Sequence, residues 1–332
     1  MLRIRLGLSV ASFLLLAKMS TAPLVDRAVV AFETSHQQRE GGGFLVRRPI
    51  GGRIRNVDPF LMLDHMGPVE YGPGQAVGAP DHPHRGFETV TYIIDGGMKH
   101  QDSAGNSGVL TPGWVQWMTA GSGVVHSEMP TDELLEKGGR MEGFQLWVNL
   151  PKKDKMRKPR YQDTPPERIP VAKADGVTVK VIAGESLGVS ATIETRIPIL
   201  YLDVHLSPGS SFTQPIPASY KGFAYVWRGA GFLGKERRPA KMGQVGTMGD
   251  GTAFTVSAGA DEECRVLLLA GEPIGEPVAW HGPFVMNTWE EIQQAFTDYQ
   301  SGKLGQIDGA EERYEKTRKA KKAQQKSGRN DL

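Results

Sequence analysis

Two short runs of histidine and glutamate share one spacing. His82-Pro83-His84 sets two imidazoles at i and i+2, and His126-Ser127-Glu128 sets an imidazole and a carboxylate at the same interval. On an extended strand the side-chain period is two, so each pair occupies one face. If both strands line the inside of one barrel, three neutral nitrogens and one anionic oxygen converge on a common point. Such an open N/O set suits non-haem Fe(II), with Mn, Ni, Co and Cu as rivals. A lone strand histidine is most often structural, whereas two same-face pairs joined by a strand-turn-strand stretch seldom arise by accident.

Glu88 is a rival oxygen donor, because it counts on the same parity as His82 and His84; pairing with Arg85 or a backbone group is its structural alternative. Gly86 lets the chain bend without filling the mouth of the site, and Gly121-Ser122-Gly123 supplies a turn that aims His126. Phe87, Trp114, Trp117 and Met118 offer apolar walls, and His100-Gln101-Asp102-Ser103 offers contacts that orient a ligand imidazole. His36, His65, His205 and His281 have no partner at ligand spacing, so they read as structural and the second half is expected to bind no metal.

The elements that must position these residues read as short strands. Phe44-Leu45-Val46, Phe60 to Leu63, Glu88 to Ile94, Gly108 to Leu110, Val115 to Met118 and Gly143 to Leu150 are separated by Gly and Pro turns, with no competing helical period. Strands at roughly ten-residue spacing signal a β-sandwich or barrel. Ile199 to Leu206, Gly222 to Trp227, Ala253 to Val256 and Arg265 to Ala270 form a second such series. The basic, Pro-flanked stretch from Lys152 to Arg160 reads as a solvated linker. Ile292, Ala295, Phe296 and Tyr299 fall at i, i+3, i+4 and i+7, predicting a helix over Trp289 to Tyr299 that caps a barrel.

The 332 residues, 39% of them hydrophobic, are enough for two compact units plus tails, and the 41 Gly and 22 Pro favour tight turns. A net charge of +2 excludes nucleic-acid binding by bulk charge. The single Cys264 excludes an intramolecular disulfide and a cysteine zinc site, and its apolar run reads as a buried strand. Leu6 to Ala17 is apolar behind a basic start, like a targeting segment, and is too short for a membrane span. Seven basic residues and no acids from Lys316 to Arg329 read as a solvated tail, with a nuclear import signal as the sharper alternative.

The stretches Asn56 to Pro68, Asp81 to Tyr92, Pro112 to Pro130 and Gly282 to Thr288 resemble the pirin family of the cupin superfamily. The similarity spans about Val29 to Gln300 and is most specific in the first half. The resemblance implies an all-β bicupin: two antiparallel jelly-roll barrels packed face to face, with a C-terminal helix. It divides the chain into an extension (1–28), a metal-binding barrel (29–151), a linker (152–176), a metal-free barrel (177–300) and a basic tail (301–332). It implies one Fe(II) on His82, His84, His126 and Glu128, the His-x-Glu carboxylate being preferred to Glu88. It also implies a quercetin 2,3-dioxygenase-type activity on a flavonol-like aromatic substrate, with Glu128 or Glu88 as proton acceptor. The alternative it carries is a non-enzymatic nuclear transcription cofactor that senses Fe(II)/Fe(III) and binds a transcription-factor partner. A monomer in cytoplasm or nucleus, with no direct nucleic-acid or membrane contact, completes the expectation.

Overall fold

A computed structural model describes residues 23–40, 43–309 and 314–315; the targeting-like segment and the tail from Lys316 lie outside them. The first barrel closes a four-stranded sheet against a seven-stranded one. In the smaller sheet, Val124–Pro130 pairs antiparallel with Ala79–His84 on one side and Met98–Asp102 on the other. In the larger sheet, Phe87–Asp95 lies between Gly139–Asn149 and Val115–Thr119. The second barrel is built on a ten-stranded sheet that includes Ile199–Leu206, Lys221–Leu233 and Cys264–Gly271. The bicupin architecture is therefore present, and all the strands expected above form.

The two larger sheets meet through one apolar core. Val90, Tyr92, Trp117, Phe144 and Leu146 of the first barrel pack with Tyr201, Phe223, Tyr225, Trp227 and Leu267 of the second. Phe60 meets Phe223 edge-on at 5.5 Å between ring centroids. Each strand here thus has two buried faces, one towards its own barrel's interior and one towards the partner barrel. That explains why Phe87–Asp95 is almost wholly buried instead of alternating.

Hydrogen bonding departs from the expected division of the chain in three places. Val29–Thr34 crosses over to pair with Gln244–Met248 of the second barrel. Arg160–Thr164, inside the expected linker, extends the first barrel's sheet against Val115–Thr119, and Val171–Ala174 joins the second barrel. Lys155 is buried and not solvated, because three oxygen acceptors surround its amine. The first half also contains a helix, Asp132–Lys137, too short to display a helical period. Its legible signal is the Thr131 side chain capping Leu134 N, followed by two acids in the first turn.

The C-terminal helix Trp289–Gln300 carries a Thr288/Glu291 capping box. It packs on the first barrel. Ile292 and Ala295 cluster with Phe284, Met286 and Val125, so the helix backs the outer face of the strand bearing His126 and Glu128.

Candidate metal centre

The pairing of Val124–Pro130 with Ala79–His84 sets His126 directly opposite His82, with a register irregularity before Glu128. Alternation then sends His82, His84 and His126 to one point inside the first barrel. One ligand atom from each of the three lies within 4.8 Å of the others, a spacing that could hold a metal ion. Ring centroids stand 4.4 Å (His82–His126), 4.7 Å (His82–His84) and 4.9 Å (His84–His126) apart.

Ring orientation is set by neighbouring carbonyls. His82 Nδ1 lies 2.7 Å from Pro80 O and His84 Nδ1 3.4 Å from Pro283 O, so Nδ1–H donation leaves each Nε2 lone pair free. His126 is 1% exposed, and neither of its nitrogens has a hydrogen-bond partner among the described residues. A buried imidazole left so is costly unless a further group takes its lone pair, and a metal ion fits that vacancy of bonding. Burial, and after it the neighbouring His82 charge, pushes His84 and His126 well below the ordinary histidine pKa. Both are neutral at physiological pH, the form that ligates.

Glu128 is buried beside the triad, outside the 4.8 Å group. Gln145 Nε2 donates to both of its oxygens (3.3 and 3.2 Å), and Thr91 Oγ1 donates to Oε1 at 3.2 Å. Glu88 faces elsewhere. The chain passes from the small sheet to the large one at Arg85-Gly86, so parity counted through that turn does not carry across. Thr91 points into the barrel, whereas Glu88 shares the parity of Val90 and Tyr92 in the inter-barrel core. Burial raises its pKa, against a hydrogen bond that Thr119 Oγ1 donates to Oε1 at 2.5 Å.

A cavity of ≈ 520 Å³ opens onto the triad, lined by His82, His84, Glu128 and Gln145 and walled by Phe44, Met62, Met66, Met98 and Trp147. Arg48 stands at its side, fixed by two 2.7 Å bonds to Asp64 and a 2.9 Å ion pair to Glu40. Of the expected walls, Phe87 packs on His84 and Trp147, but Trp117 belongs to the inter-barrel core. Reading the strands by parity missed Met62, Met66 and Trp147; the strand of the two methionines is buried on both faces there and shows no alternation, and Trp147 is half-buried between the buried Leu146 and Val148. The Gly121-Ser122-Gly123 turn is pinned, since Gly86 N bonds Gly121 O and Arg85 Nε bonds Ser122 O. His100 stacks on Tyr161 at 5.2 Å, and Asp102 receives Asn106 N at 2.8 Å.

The description "Pirin" matches residues 43–148, and "Pirin C-terminal cupin domain" matches residues 201–305. A pirin-like protein of Solanum lycopersicum is 48% identical over 283 residues, covering 84% of this chain and 93% of its own. Pirin of Homo sapiens is 45% identical over 275 residues, covering 82% and 91%. The chain belongs to the pirin family. Among solved structures, a quercetin 2,3-dioxygenase from Acinetobacter baumannii superposes with a TM-score of 0.80 at 35% identity, over 85% of this chain and 100% of that one. A bacterial pirin from Escherichia coli, crystallised with nickel(II), superposes at 0.58 and 20% identity over 73% and 99%, a likeness of fold alone. This pirin-family chain carries its histidine triad in the first of the two matched regions.

Proposed function

We propose that this chain is a metal-dependent dioxygenase of the quercetin 2,3-dioxygenase type, holding one Fe(II) through His82, His84, His126 and Glu128. The observation that carries this reading is the convergence of three imidazoles, one with both nitrogens unpartnered, on an open apolar-walled cavity. A structural relative named quercetin 2,3-dioxygenase supports it. Iron bound here would supply Lewis acidity towards a flavonol 3-hydroxyl and electron exchange with dioxygen.

The chain's own residues then divide the work. His84 and His126 offer lone pairs without first losing a proton. Gln145 and Thr91 hold Glu128 in place as oxygen donor and as acceptor of the 3-hydroxyl proton. Trp147 and the three methionines flank a flat aromatic ring and exclude water around it. Addition of dioxygen across the heterocycle releases carbon monoxide and a depside.

The test is anaerobic loading with Fe(II), addition of quercetin and oxygen, and assay of carbon monoxide from wild type and His84→Ala. Release by wild type and its loss in His84→Ala is expected. Turnover that survives the substitution would remove the catalytic reading. Iron uptake without carbon monoxide would favour a sensor in which the metal's charge alters affinity for a transcription-factor partner.

A further inference from the structure

The turn that follows His84 is gripped by residues remote in sequence. At Gly86 (φ 88°) an added Cβ would lie 1.9 Å from Val285 O, so the backbone is pressed against the strand Phe284–Met286. Val285 N donates to Arg85 O at 3.0 Å, two residues from the Pro283 carbonyl that faces His84 Nδ1. Arg85 Nη1 donates to Asp298 Oδ2 of the C-terminal helix at 2.9 Å.

Lys155 lies at the centre of this grip, 1% exposed. Its amine donates to Gly86 O (2.7 Å), Asn149 Oδ1 (2.6 Å) and Val285 O (3.1 Å). An ammonium has three donors, and all are used. Burial brings its pKa down to about 8, against the nearby charges of Glu276 and Glu291. An apolar side chain of similar length would fill the space without that desolvation cost, but would leave the Gly86 and Val285 carbonyls untied.

We propose that Lys155 is a positioning residue for the metal centre: by tying Gly86 O to Val285 O, it fixes the turn that aims His84. The Arg85–Asp298 pair anchors the same turn from the helix. This inference rests on the metal-binding part of the function proposed above and is independent of ring cleavage.

The test uses the full chain, with Fe(II) affinity measured anaerobically against a competing chelator. The Cu(II)-loaded protein's electron paramagnetic resonance spectrum reports ligand geometry, and the melting temperature of metal-free protein reports folding. Lys155→Met is expected to weaken Fe(II) binding by roughly 10–100-fold and to alter the copper hyperfine pattern. Asp298→Ala is expected to weaken binding in the same direction by a smaller factor. If Lys155→Met does not fold, Asp298→Ala decides alone. Folded variants that bind Fe(II) as wild type does, with an unchanged copper spectrum, would overturn the proposal. Wild type that takes up neither metal would remove the metal reading itself. Normal uptake without carbon monoxide release would remove only the dioxygenase reading.

Discussion

Glu128 is a carboxylate whose freedom the residues around it limit. Gln145 Nε2 reaches both of its oxygens, and the single Thr91 hydroxyl proton is shared between Glu128 Oε1 at 3.2 Å and Gln145 Oε1 at 2.7 Å. Replacing Gln145 with Leu keeps the volume similar and removes the donor. Fe(II) affinity by chelator competition is then expected to fall by roughly 10–100-fold, as for other groups that orient ligands. Carbon monoxide release should fall with it. An unchanged affinity would show that Glu128 needs no such support or does not ligate. The histidines of the triad were legible from spacing alone, whereas Glu128 was preferred to Glu88 only on the family resemblance. Gln145 was not legible, because an amide inside a strand carries no sequence signal until its neighbour across the sheet is known.

The turn at Arg85-Gly86 is the element on which the triad's geometry depends. It passes the chain from the small sheet to the large one while Phe284–Met286 presses on it. Gly86→Ala would place a methyl against a carbonyl in a backbone region that favours glycine. A loss of at least about 2 kcal/mol in urea unfolding, with reduced metal uptake, is expected. Near-wild-type stability would mean that the close approach relaxes easily. Sequence reading identified the glycine and the C-terminal helix correctly. It left open which barrel the helix covers, since an apolar helical stripe states that something is packed and not what.

Across the whole molecule, the barrels are joined by an ionic cluster as well as by the apolar core. Glu142 accepts from Arg140 and from Arg228 of the second barrel at 2.9 Å each, and lies 3.2 Å from His65 Nε2. His65 Nδ1 in turn stands 3.0 Å from Tyr225 Oη. Burial lowers the His65 pKa, against the hydrogen bond and charge of Glu142, which raise it. Burial opposes ionisation of Glu142, but the His65 and Arg140 hydrogen bonds, with the His65 and Arg228 charges, outweigh it and hold the carboxyl down to about 2. The ordinary value is 4.5, so the unfolded chain takes up the proton first as pH falls. The contribution is present above pH 4.5 and is lost on acidification towards about 2. Its ceiling is roughly 3 kcal/mol, and partial exposure of both arginines brings it to roughly 1–3. Glu142→Gln should lower stability by that amount at neutral pH and flatten the acid dependence of the urea midpoint. An acid profile that matches wild type would place the acid sensitivity elsewhere.

By itself the chain determined the strands read above, the C-terminal helix and the histidine pairs, because these are written in local spacing and turn chemistry, and its motifs carried the resemblance to the pirin family. Only the tertiary structure decided that Val29–Thr34 belongs to the second barrel, that Lys155 is buried, and that Glu88 faces the partner barrel. Those outcomes depend on which sheet lies across from each residue. Strands buried on both faces lose the polar alternation that would have recorded it.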